Sequence, residues 1–77
     1  MTAATETRLV EKYQRLMADC QRLSDAADAA YLRYDDTLGD TMQRRADRAD
    51  AKADKILIQL QLANSTLAAR QGLFDGL

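Results

Sequence analysis

Few residues in this chain are of the types that catalyse reactions or hold metals. There is one cysteine, Cys20, and there is no histidine. A thiolate nucleophile needs a neighbouring base, and a soft-metal site needs several sulfur or imidazole ligands, so Cys20 can form neither alone. Asp35 and Asp36 are adjacent carboxylates, but the ligand spacing of a calcium-binding loop is absent. The sequence therefore predicts no catalytic residue, no cofactor and no metal site, and we expect the protein not to be an enzyme.

Basic side chains could bind anions. Lys and Arg number 11 against 12 Asp and Glu, and the net charge of −1 gives no bulk attraction to nucleic acid or to an anionic membrane. The candidate anion or nucleic-acid contacts lie on one flank of the second half of the chain: Arg45, Arg48, Lys52 and Lys55. No aromatic residue lies among them to stack on bases, so we favour a solvated helix flank and do not expect nucleic acid as a partner.

The elements that carry these residues are predicted to be helices. The chain has no proline and only three glycines among 77 residues. Apolar residues recur at alternating steps of four and three, the spacing that keeps side chains on one helical stripe. In the first half the stripe is Leu9, Tyr13, Leu16, Cys20, Leu23, Ala27, Ala30 and Tyr34. In the second half it is Met42, Ala46, Ala49, Ala53, Ile56, Leu60, Ala63 and Leu67. The pattern predicts one helix over about 5–37 and another over about 42–70.

The segment DDTLGDT, residues 35–41, is the first interruption of the pattern. Gly39 can adopt the left-handed conformation that ends a helix, so we predict a turn at 38–41. A short turn makes the helices antiparallel neighbours and places Leu23 near Ile56. Gly72 should follow the second helix and leave a short tail, 71–77. The fold class predicted is therefore all-α: a single domain, 1–77, formed by an antiparallel helical hairpin with a coiled-coil-like heptad seam, which completes a helical bundle by oligomerisation.

Apolar residues outside the seam are candidates for partner binding, because a chain this short buries little of its own surface. The stretch ILIQLQL, residues 56–62, alternates because the second helix is apolar on two opposite sides. The predicted partner-binding residues are Ile58, Leu62, Ala69 and Leu73 on the side opposite the seam, Val10, Met17, Tyr31 and Leu57 beside it, and Phe74 in the tail. For Phe74 we expect packing over the open end near Leu9 and Val10; the alternative is a short motif captured by a partner.

The function that this pattern indicates is protein–protein interaction or scaffolding. The hairpin would self-associate, as a dimer foremost, or bind partner helices. In outline it resembles the short hairpin chaperones and the needle or rod subunits of type III secretion, which implies a small cytoplasmic chaperone or structural subunit as an alternative. It is also similar in outline to plasmid copy-control proteins, which implies an RNA-binding hairpin dimer as a third possibility.

The segments that would direct the chain to or across a membrane are not found in the sequence. The start MTAATETRLV has neither the basic nor the apolar region of a secretory signal, and the longest apolar run is Ile56-Leu57-Ile58. We therefore expect no membrane span and a cytoplasmic location.

Overall fold

The computed structural model of the chain describes residues 1–75. It contains three helices, Ala3–Leu32 (α1), Asp36–Leu62 (α2) and Thr66–Arg70 (α3), and no strand in the described range. α1 and α2 pack along their length as an antiparallel hairpin of 47 × 19 × 15 Å, and α3 packs against α1. The prediction of an all-α helical hairpin is confirmed. We call the end of the hairpin at the α1–α2 turn the closed end and the opposite end, where α3 lies, the open end.

The turn between the long helices lies at residues 33–35, so its prediction at 38–41 was wrong. Tyr34 has a positive φ of 61°. Its N–H donates to the Tyr31 carbonyl, and the Asp35 N–H donates to the Ala30 carbonyl at 2.9 Å. This is the Schellman arrangement, which satisfies the last carbonyls of a helix. The Asp35 carboxylate then caps α2 by accepting from the Leu38 N–H at 3.2 Å. One residue thus ends α1 and begins α2.

Gly39 lies inside α2, where its role is close packing and not a left-handed conformation. A Cβ atom at this position would lie 2.5 Å from a ring carbon of Tyr31. The ring therefore rests on the bare backbone of α2. The helix predicted to end near residue 37 ends instead at Leu32, and the second helix starts at Asp36.

Moving the turn changes which residues of the two helices face each other. The Glu6 carboxylate on α1 accepts from the backbone N–H of Leu67, and the Tyr31 hydroxyl donates to Asp40. Asp47 and Asp50 lie close enough to Cys20 to influence its ionisation. The predicted pairing of Leu23 with Ile56 was therefore wrong, because an earlier turn slides α2 along α1.

The second helix also ends earlier than predicted, at Leu62 and not near Arg70. Asn64 has a φ of 53°, and its N–H donates to the Gln61 carbonyl at 3.0 Å, as in the turn at Tyr34. Ser65 then caps α3 by accepting from the Ala68 N–H at 3.1 Å. Gly72, with φ 73°, ends α3 in the same way, as the sequence predicted for that glycine. All three helices therefore end with one kind of hydrogen-bonded motif.

The core differs between the two ends of the hairpin. The buried residues toward the closed end are small: Ala27, Ala30, Ala46, Ala49 and Ala53. At the open end a buried cluster is formed by Val10, Ile56, Leu60 and Ala68, with Leu9, Tyr13, Leu16, Leu67, Leu73 and Phe74 packed around it. Of the predicted seam residues only Tyr34 and Ala63 are exposed, because both lie just past helix ends.

Candidate interaction surfaces

Two of the predicted partner-binding residues are inside the hairpin. Val10 is 2% exposed and Leu57 is 9% exposed. Val10 belongs to the same buried cluster as Ala68 of α3, so α3 covers the flank of α1 that the sequence left open. The prediction that Val10 and Leu57 contact a partner is corrected, because the chain itself covers them.

The four residues predicted on the outer side of the second helix do not form one continuous face. Ile58 and Leu62 are exposed on α2, at 53% and 81%. Ala69 is exposed on α3, whereas Leu73 packs against the open-end cluster. The helix break at 63–65 separates them, since α3 no longer continues the direction of α2. The exposed apolar pair that remains is Ile58 and Leu62.

Met17 and Tyr31 are about two-fifths exposed, at 37% and 38%. The Tyr31 hydroxyl donates a hydrogen bond to the Asp40 carboxylate at 2.6 Å. That bond, followed by burial and the negative charge of Asp40, raises the pKa of Tyr31 above its ordinary value. The Tyr31 side chain is thus fixed by a hydrogen bond within the chain, and the Met17 side chain is the less constrained of the two.

The packing of α3 against α1 was not predicted from the sequence. The Glu6 carboxylate accepts from the Ser65 hydroxyl and from the Leu67 N–H, the latter at 2.9 Å. These hydrogen bonds lower the pKa of Glu6, the Ser65 hydroxyl first and the Leu67 N–H second. Ala68 is completely buried. We call the site against which α3 packs the α3 cradle. It is formed by Glu6, Val10 and Gln14 of α1 and Leu60 of α2.

Residues 71–74 of the C-terminal tail lie over the open end. Gln14 of α1 donates to the Gln71 side chain, and Leu73 and Phe74 pack against the buried cluster. The expectation that Phe74 folds over this end is therefore confirmed for the described residues. The prediction for the tail also covered Gly76 and Leu77, which lie outside those residues.

The basic flank of α2 forms a second surface. A depression of about 290 Å³ is lined by Thr41, Arg44, Arg45 and Arg48. Arg44 was not among the predicted anion contacts; Lys52 and Lys55, which were, are exposed farther along the helix.

The acids near this depression are engaged elsewhere. Asp40 has the i,i+4 spacing to pair with Arg44, but its carboxylate accepts from Tyr31. Asp47 accepts from Gln43 at 3.0 Å. Within residues 1–75, the ion pair closer than 4 Å is Arg22–Asp19, on α1. None of the three guanidinium groups therefore lies within 4 Å of a carboxylate in the described range, although the Arg44 Nε–H donates to the Asp40 backbone carbonyl at 3.4 Å.

The groups with potential for catalysis are not brought together. Burial, and then the charges of Asp50 and Asp47, raise the pKa of the Cys20 thiol, which keeps it protonated and poorly nucleophilic. In the described part of the chain, no three Cys, Asp or Glu side chains are grouped so that they could hold a metal ion. A depression of about 420 Å³ along α1, lined by Glu11, Gln14, Arg15 and Ala18, contains one carboxylate and no buried base.

Comparisons with protein-family models, with curated proteins and with solved structures found no match to this chain. Among the helices of residues 1–75, none combines the length and the apolar character needed to cross a bilayer.

Proposed function

We propose that the chain is a non-enzymatic assembly module, a helical hairpin that binds a second copy of itself. The observation that carries the proposal is the exposed pair Ile58 and Leu62, 53% and 81% exposed, one helical turn apart on α2. Adjacent large aliphatic side chains on the outer face of a small helical protein are typical of a helix-packing contact. Dimer formation would remove both from water.

The total surface of the chain supports the same proposal. The accessible surface is 5468 Å². A compact monomer of this mass exposes about 4,700 Å², so the hairpin exposes roughly 15% more than expected. The excess is close to the roughly 800 Å² that one partner contributes to a protein–protein interface of standard size. A hairpin whose core is largely alanine gains more stability from a partner than a compact domain would.

The test is the molar mass in solution, measured by light scattering over a wide concentration range. We expect the wild type to be a dimer at high concentration and Ile58→Asp/Leu62→Asp to be a folded monomer. A buried carboxylate at each of these positions would remain unpaired and oppose association. A wild type that is monomeric at every concentration would overturn self-association and leave a helix of another protein as the partner.

The chain offers a matched control. Leu32 and Leu62 are the last residues of α1 and α2, both precede the same Schellman motif, and they are 82% and 81% exposed. Leu62→Asp should weaken association, whereas Leu32→Asp, at the closed end, should leave it unchanged. Equal effects would show that added charge alone is responsible and that the outer face of α2 is not the interface.

A second candidate function is RNA binding through the basic flank. It is favoured by the guanidinium groups of Arg44, Arg45 and Arg48, which surround one depression and have no carboxylate within 4 Å in the described range. RNA retention should then fall steeply with salt, and Arg45→Ala/Arg48→Ala should reduce the slope of log affinity against log salt. Arg22→Ala is the control, because Arg22 is already paired with Asp19. Retention that is absent at low salt would remove this candidate.

A further inference from the structure

We propose that two copies of the chain exchange α3 and the tail, so that residues 65–75 of one copy occupy the α3 cradle of the other. This rests on the self-association proposed above and adds a second contact, in the α3 cradle, to the one proposed on the outer face of α2. The partner is a second copy of this chain, and the docked element is the one already seen in the cradle.

The cradle binds α3 through contacts that do not depend on chain connectivity. The hydrogen bonds of Glu6 to Ser65 and to Leu67 join residues 59 and 61 positions apart in the chain. The contact of Gln14 with Gln71 spans 57 positions. The Glu6–Ser65 and Gln14–Gln71 side-chain contacts can also form when Ser65 and Gln71 come from another copy, whereas the Leu67 N–H donates within the helix once α2 and α3 are continuous. Exchange therefore preserves the side-chain contacts of the cradle, which is the condition for domain swapping.

The link between α2 and α3 is a short hinge with two favourable conformations. In the closed form Asn64 has a φ of 53°, a left-handed conformation that asparagine adopts at a small cost and that a straight helix does not contain. The apolar spacing of α2 nevertheless continues through this break, from Leu60 to Ala63 and Leu67. Residues 63–65 can therefore extend α2 into one helix from Asp36 to Arg70, with added backbone hydrogen bonds and without the left-handed residue. Straightening carries α3 away from its own cradle.

The direction of α3 sets the arrangement of the exchanged pair. Glu6 contacts the start of α3 and Gln14 contacts Gln71, so α3 runs parallel to α1, away from the open end. A straightened α2 projects beyond the open end and meets the α1 of a second hairpin placed end to end with the first. The α3 of each copy then occupies the cradle of the other. A two-fold axis relates these two contacts, so the dimer is closed.

This arrangement also accounts for an exposed residue. Leu62, 81% exposed in the closed form, immediately precedes the hinge and so lies at the junction of the two copies. The exchanged dimer would be about twice as long as the 47 Å hairpin.

The first experiment changes the hinge in the full chain. Asn64→Ala disfavours the left-handed conformation and favours straight helix, whereas Asn64→Gly favours the closed form. Since each dimer straightens two hinges, Asn64→Ala should raise the dimerisation constant roughly fivefold per hinge, or about twenty-fivefold in total. Asn64→Gly should lower it. Light scattering measures both, and the opposite order of the two variants would overturn the exchange.

The second experiment identifies which copy supplies α3. In a Gln14→Cys/Gln71→Cys/Cys20→Ser variant, a short bismaleimide joins positions 14 and 71 where they are in contact. Exchange predicts covalent dimers that survive denaturant at concentrations where light scattering shows dimer. A non-covalent dimer that yields only internally cross-linked monomers would overturn the exchange and leave self-association standing. Monomers at all concentrations, in Asn64→Ala as well, would overturn both proposals.

Discussion

The two ends of the hairpin are held together by different physical means. At the closed end the helices approach closely because the buried residues are alanines and Gly39, over which the Tyr31 ring lies. At the open end Val10, Ile56 and Leu60 fill a wider space, and α3 with the tail covers it.

The two ends of this 77-residue chain contribute differently to its stability. Most of the large apolar side chains that are buried lie at the open end, so most of the hydrophobic stabilisation comes from there. The closed end contributes helix contact, a tight turn and the Tyr31–Asp40 hydrogen bond, and thereby sets the register. The open end is also where we propose an alternative arrangement, the exchange of α3 between copies, because the element that covers this end is a separate short helix.

The largest expected effect is the loss of a large side chain from the open end. Leu60 is completely buried, so Leu60→Ala should lower the free energy of unfolding by about 3 kcal/mol through lost burial and a residual cavity. Urea denaturation at a protein concentration that keeps the chain monomeric measures it. Leu32→Ala, at an 82% exposed site of the closed end, should change stability by less than about 0.5 kcal/mol. Equal losses would contradict the division of the core between the ends.

At the closed end the critical position is a glycine. An added Cβ at Gly39 would lie within 2.7 Å of three Tyr31 ring atoms, so Gly39→Ala should destabilise the hairpin by about 1–2 kcal/mol by displacing the ring.

A double-mutant cycle provides the control for Gly39. In a Tyr31→Ala background the same substitution should become neutral or stabilising by up to about 1 kcal/mol, because alanine is the better helix former. A cost that persists without the ring would show that Gly39 is needed for another reason.

A glycine substitution at either helix break should raise the free energy of unfolding. The increase should be larger at the closed-end turn than at the break between α2 and α3. Tyr34 is 92% exposed with φ 61°, so Tyr34→Gly relieves strain without losing packing and should add about 1 kcal/mol to the free energy of unfolding. Asn64→Gly should add only a few tenths, because asparagine tolerates the left-handed conformation better. Tyr34→Ala is the control for size, and it should give no gain because alanine carries the same strain.

The smallest expected effects are changes of stability with pH. The contribution of Glu6 at the open end should be lost in acid, and that of Tyr31 at the closed end should be lost in alkali. The folded pKa of Glu6 lies below its ordinary value of 4.5, so its contribution is fully present above that pH and is lost as the pH falls through the folded value. The folded pKa of Tyr31 lies above 10.0, so its contribution is present below that pH and is lost as the pH rises through the folded value.

Matched variants separate these two contributions. The stability difference between wild type and Glu6→Gln should shrink in acid, and that between wild type and Tyr31→Phe should shrink in alkali. Chemical denaturation across the pH range measures both. A difference that does not change with pH would contradict the hydrogen bonds assigned to these groups.

Much of the fold was predictable from the spacing of apolar residues. The seam through Ala27, Ala53 and Leu60 is buried as the heptads indicated, because a helix brings every third and fourth residue to one side. The helix ends were predicted less well, since glycine was expected to mark the turn. Asp35 and Ser65 were available signals, because each is a favoured N-cap residue that begins a new helix.

The candidate surfaces were predicted only in part. Ile58 and Leu62 were identified, and the structure leaves them exposed. Val10 has the same kind of spacing as other flank residues, and nothing local reveals that Ala68 covers it from 58 positions away. Arg44 was missed because its expected carboxylate partner, Asp40 at i−4, accepts instead from Tyr31 across the turn.

The sequence by itself determined that the chain forms two long amphipathic helices and which stripe of each faces the other, because helical periodicity is a local property. The tertiary structure alone decided the position of the turn, the register of the helices and the return of α3 to Glu6. These depend on a balance between distant contacts and left-handed residues at Tyr34 and Asn64. Such a balance involves small differences between competing backbone conformations, and apolar spacing does not encode them.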